Sequence, residues 1–182
     1  MATFVQRMIG AARLDAATYE DVEADRSATM QAMAVVILSA LAAAIGGIGH
    51  AGMRGPVLGL VGALVGWYAW AFVTWLVGTK IIPEPQTEAD LGQLLRTTGF
   101  SAAPGLLRIF GFIPVLGGII GSAAALWMLV SMVVAVRQAL DYRGTGRAVA
   151  VVVIGFLFYI AVVAGIAIIF GAGAGVIGSL AR

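Results

Sequence analysis

The sequence predicts an all-α integral membrane protein: a five-helix transmembrane bundle with an N-terminal amphipathic surface helix. Three observations predict it. Val57 to Gly78 is a 22-residue stretch without a charged residue, long enough at about 1.5 Å per helical residue to cross a hydrocarbon core of about 30 Å. The composition is 61% hydrophobic and 11% charged, with mean hydropathy +1.01, where a soluble domain carries about 25% charge. Further apolar stretches at 116–136 and 148–170 are separated by short polar loops. Such a chain holds a cytoplasmic amphipathic and acidic segment over 1–28 and one membrane domain over 29–182, with no room for a soluble domain.

In chain order, Phe4, Val5, Met8 and Ile9 share one helical face with Arg13 off it, which reads as a short helix on the membrane surface rather than a disordered tail. Asp15 or Thr18 can cap a second helix, whose acids Glu20, Asp21 and Glu23 suit the positive end of a helix dipole. Glu23 stands three residues before Arg26, a same-face pair, and this helix is expected to run unbroken into a first span over 31–48. The first thirty residues lack the apolar run of a signal peptide, so that span is expected to act as an uncleaved anchor. Arg54 lies in a tight connection, and Pro56 suits the start of the second span over 57–78. There Trp75 is expected near a membrane boundary, with Trp67 and Tyr68 packed against other helices.

Pro83 and Pro85 break the helix, and Thr87 to Asp90 resembles a capping box opening a new one from Glu88. The segment 94–109 is read as a short third span kinked at Pro104, with Arg96 and Arg108 near opposite interfaces; a re-entrant half-helix is the rival reading. A turn over Phe112 to Val115 leads to spans at 116–136 and 148–170, joined by a basic loop. With five spans and a cytoplasmic N-terminus, eight basic residues fall inside and three outside, which fits the positive-inside rule.

The chemistry-bearing residues are few. There is no cysteine and no asparagine, and one histidine, His50, without helical neighbours that could share a metal. Gly173, Gly175 and Gly178 match the dinucleotide fingerprint, but they follow a membrane helix and lack the later acid, so nucleotide binding is rejected. No catalytic, cofactor-binding or metal-binding residue is assigned, and the net charge of +2 argues against nucleic acid. Gly59, Gly62, Gly66, Gly117, Gly121 and Gly165 fall into small-x-x-x-small pairs, the pattern of close helix packing within or between chains. Ser39, Thr74 and Ser131 are expected to bond carbonyls of their own helices, with a hydroxyl-lined pore as the alternative. Arg137, Arg143 and Arg147 form a loop suited to anionic lipid or a partner.

The order of segments resembles the Yip (Ypt-interacting protein) domain family, in a bacterial-type form. The resemblance rests on the acidic stretch Glu20 to Ser27, on Gly99, Phe100, Ser101 and Pro104, on Pro114 with the glycines after it, on Trp127, and on Val136 to Tyr142. It implies a five-span domain with a cytoplasmic N-terminus. Eukaryotic members bind prenylated small GTPases, and the motif they carry before the first span is replaced here by Leu14-Asp15 and Tyr19-Glu20-Asp21, which puts GTPase binding in doubt. The expected function is a non-enzymatic scaffold or adaptor in a bacterial cytoplasmic membrane, partnered by lipids, other membrane proteins or itself. The alternative is an oligomeric permease for a small solute or lipid; an intramembrane enzyme would need a serine and a base facing one cavity.

Overall fold

A computed structural model describes residues 2–47 and 55–161. His50, Arg54, Gly165, the tail glycines and the end of the last expected span lie outside the described residues. Among the described residues every regular element is helical, as local bonding of the backbone requires in lipid. Three helices are long and apolar enough to cross a membrane: Ala28–Gly46, Val57–Ile81 and Leu116–Ala139.

Helix α1 (Phe4–Ala12) opens on a capping box between Thr3 and Gln6, and Asp15 caps α2 (Ala16–Ala24). Leu14, at φ 62°, makes the turn between them. The expected continuous helix from α2 into the first span is broken. Asp25 accepts the backbone N–H of Ser27 at 2.9 Å and its hydroxyl at 2.6 Å, a local turn that competes with the helix, and α3 starts afresh at Ala28 and ends at Gly46. The expected Glu23–Arg26 pair is absent from the ion pairs of the described residues; Glu23 accepts from Gln93 Nε2 at 2.9 Å instead.

Helix α4 (Gly55–Leu76) ends in a wide turn over Val77–Ile81. Trp67 and Trp75 donate their indole N–H groups to the carbonyls of Leu95 and Ala89, both at 3.0 Å. Tyr68, expected to pack, is exposed. The next helix, α5 (Leu91–Phe100), begins later than Glu88, because Asp90 and Gln93 form its capping box; Thr87 instead donates to Leu140 O at 3.0 Å. After Ser101 and Ala102 the chain tightens into a 3-10 helix, Ala103–Phe112, with Pro104 in its first turn. Val115, at φ 65°, closes a three-residue turn in which Leu116 N–H bonds Pro114 O at 2.7 Å, a rare and strained form. Helix α6 (Leu116–Ala139) follows, and then α7 (Thr145–Ala161).

The path of the broken segment is fixed by glycines. A Cβ on Gly99 would stand 2.7 Å from Ala32 Cβ; Gly105 abuts Ser39 and Met128; Gly111 abuts Gly46 on one side and Gly117 on the other. Residue numbers rise together in α3 and the broken segment, so the two run parallel, from Ala32 to Gly46, over about 21 Å. Against α6 the numbers run oppositely. Gly99→Leu is therefore expected to cost about 1–3 kcal/mol through overpacking against α3. Gly121→Leu, where no atom of the described residues lies within 4 Å of the added Cβ, is expected to leave the melting temperature of the detergent-solubilised protein unchanged.

Candidate functional site

Two polar constellations are built where the apolar sequence offers few polar groups. The first locks the N-terminal hairpin to the bundle. Arg7, 2% exposed, pairs with Asp21 and Asp25, each at 2.8 Å, and its Nη1 also donates to Gln31 Oε1 at 3.1 Å. The Ser27 hydroxyl, and then Arg7, hold the Asp25 carboxyl low, at about 2. Arg96, 5% exposed, donates from Nε to Val22 O at 3.1 Å and Glu23 O at 3.0 Å. It thus closes the carbonyl end of α2, which lacks a glycine cap. The carbonyl end of α1 is closed in the same way by α6: Trp127 Nε1 donates to Ala12 O at 2.8 Å, and Ser131 Oγ to Ala11 O at 3.3 Å while bonded to Tyr19 Oη at 2.6 Å. Phe4 and Met8 pack into this core, and Val5 and Ile9 face outward.

The second constellation is a cavity of about 910 Å³ between α3, α4, the broken segment, α6 and α7. Small residues make the room: Ala40, Ala43 and Ala44 on α3, and Gly59, Ala63 and Gly66 on α4. Arg108 supplies its charge. The Arg108 backbone lies beside Gly46, at the end of α3, but its side chain turns back along the helix. Nη2 donates to Ser39 Oγ at 2.8 Å and Ser39 O at 3.3 Å, and Nε to Gly105 O at 3.2 Å. Ser39 lies seven residues before Gly46, so the guanidinium sits about 10 Å back from the end of α3.

The expected site residues are distributed as follows. Gly99, Phe100, Ser101 and Pro104 together form the break: Gly99 admits α3, Phe100 is fully buried against Phe4 with ring centroids 6.4 Å apart, and Ser101 Oγ donates to Thr98 O at 2.7 Å. Pro114 shapes the turn before α6. Gly117 is packed, whereas Gly59, Gly62, Gly66 and Gly121 have nothing within 4 Å of an added Cβ among the described residues. Thr74 bonds carbonyls of its own helix, at 2.9 and 3.1 Å, but Ser39 serves Arg108 and Ser131 serves the hairpin. Arg137 donates to Tyr142 O at 3.3 Å, and Arg147 pairs with Glu84 at 3.3 Å, so both close the loops of their own chain; Arg143 is exposed.

The chain matches one family model, the Yip1 domain, over residues 15–165, a range that includes the broken third segment and the acidic lead into α3. The chain belongs to the Yip1 domain family. Compared with curated proteins and with solved structures, it gives no match to either. The Yip1 match covers the second constellation and the first only from Asp15 onward, so α2, the break and Arg108 are parts of the domain, while Arg7 and α1 precede the match.

Arg7, Arg96 and Tyr19 escaped the sequence reading because their partners are backbone carbonyls or residues distant in the chain. The signal for Arg108 was a charge inside the apolar run Leu106 to Phe110 together with a lone hydroxyl, Ser39, inside α3.

Arg96→Leu leaves the carbonyls of Val22 and Glu23 without a donor, and a loss of about 3 kcal/mol is expected on thermal unfolding in detergent. Burial, and then repulsion from Asp141, push the Glu23 carboxyl up to about 7. The folded state therefore holds a proton that the unfolded chain has released between the usual carboxylate range and pH 7. Stability is gained on acidification and lost as pH rises through about 7. The wild type should melt higher at pH 5.5 than at pH 8, and Glu23→Gln should reduce that difference.

Proposed function

We propose that this Yip1-domain chain is a non-enzymatic membrane scaffold or adaptor, crossing a bacterial cytoplasmic membrane five times with its N-terminus in the cytoplasm. The observation that carries the reading is α4. Its apolar window is 11% buried within the described chain, against 33% for α3, and Gly59, Gly62 and Gly66 meet no neighbour among the described residues. Lipid tails give helices no hydrophobic reason to associate, so small residues left open suit the close approach of another helix, from a second copy or another membrane protein. The locked hairpin supports a rigid cytoplasmic side. Val5 and Ile9 on its outer face suit contact with the membrane surface, which is the role proposed for α1.

The run of 91–112 alongside α3 to its far end supports a broken crossing over a re-entrant half-helix. The basic loop around Arg143 supports an inside location for residues 137–147. Binding of a small GTPase is not part of the proposal, since the family motif before the first span is altered. A second reading, a permease for a small solute or lipid, is favoured by the cavity beside Arg108.

Gentle solubilisation of the tagged protein, followed by mass spectrometry, is expected to retain a stoichiometric membrane protein or a second copy. Gly62→Leu should release it without lowering the melting temperature. A protein that emerges alone in both forms would overturn the scaffold reading, and solute or lipid flux in liposomes would then support the permease.

A further inference from the structure

We propose that the cavity around Arg108 is a binding site for an anionic lipid, whose oxyanion head meets the guanidinium and whose acyl chain lies along the apolar wall. The charge balance points there. All nine acidic side chains of the chain belong to described residues, and none pairs with Arg108. Its protein partners are a hydroxyl and two carbonyls, all neutral. An uncompensated cation at bilayer depth costs several kcal/mol, which is why such residues pair or face a functional cavity.

The guanidinium also keeps capacity to bind. Nε and Nη2 hold Gly105 and Ser39, while Nη1 makes no hydrogen bond to any described residue. Its two N–H groups are free for a carboxylate or phosphate, the acceptors that guanidinium matches best. Ser39 fixes the charge from the α3 side, so the head group finds the cation already oriented. The remaining wall is mostly apolar, formed by alanines, glycines, Met128, Met132 and Phe156. A free inorganic anion would leave that wall unfilled. At about 910 Å³ the cavity is at the upper end of the range for small-molecule sites, enough for an acyl chain.

The test is native mass spectrometry of the full chain in detergent, with phosphatidylglycerol, phosphatidylcholine, oleate or inorganic phosphate added separately. Wild type is expected to favour phosphatidylglycerol or oleate over phosphatidylcholine about tenfold or more, the scale of a charge-assisted hydrogen bond. The preferred arm distinguishes a phospholipid from a free fatty acid. R108Q should lose the preference and R108K should keep part of it. Gly59→Leu, which adds bulk to the cavity wall where a Cβ meets no described residue, should weaken binding with Arg108 intact, so the result does not depend on R108Q folding normally. Gly62→Leu, outside the cavity lining, should bind lipid like wild type even where it releases a protein partner, which separates this site from the scaffold reading. Equal binding of phosphatidylglycerol and phosphatidylcholine, an unchanged preference in both R108Q and Gly59→Leu, or a response to inorganic phosphate alone would overturn the proposal.

Discussion

A broken helix packed among other helices has to satisfy its own backbone, because apolar neighbours offer no hydrogen bonds. The segment Leu91–Phe112 meets that constraint, and the rest of the bundle is arranged around it. Thr97 and Thr98 bond carbonyls one turn back, at 3.0 and 2.5 Å, Ser101 closes on Thr98 O, and Arg108 takes Gly105 O. The polar residues that looked out of place in an apolar segment are those that permit the break. The 3-10 half is slimmer than an α-helix; Gly105 admits the Ser39 and Met128 side chains, and Gly111 lies against the backbones of Gly46 and Gly117, so this half fits between α3 and α6.

The same constraint recurs at the N-terminus. Helices α1 and α2 are nine residues each, too short to be stable alone, and their carbonyl ends face protein. Trp127, Ser131 and Arg96 reach out from the bundle to close them. The hairpin is therefore a lid on the bundle rather than a loose tail. Glu23 sits at the seam, with Gln93, Arg96 and Asp141 around it, so the attachment responds to protonation.

Much of this was legible in the sequence, and the remainder was not, for physical reasons. The apolar runs that form α3, α4 and α6 announce themselves, because length and hydropathy suffice for a span. The segment 94–109 did not, since a helix that changes pitch loses its periodicity, and Pro104 marks the site without saying which way the chain turns. The break before Ala28 was hidden because Asp25 and Ser27 are compatible with a helix until their side chains bond locally. Spacing also failed to separate Gly117, which is buried against Gly111, from Gly121 on the same helix, which meets nothing. Helix caps supplied by Arg96 or Trp127 depend on tertiary neighbours and leave no local pattern.

The proposed broken crossing takes residues 91–112 across the bilayer beside α3 and brings Arg108 to bilayer depth. The chain has no cysteine, so single cysteines can be placed without background. The most direct measurement labels Glu88→Cys and Val115→Cys, both at exposed positions, with a membrane-impermeant maleimide in intact cells and in inverted vesicles. A broken crossing predicts opposite sidedness: Val115→Cys reacts in intact cells and Glu88→Cys only in inverted vesicles. Labelling of both from the same side would contradict it and make the segment a half-helix that returns to the face it left.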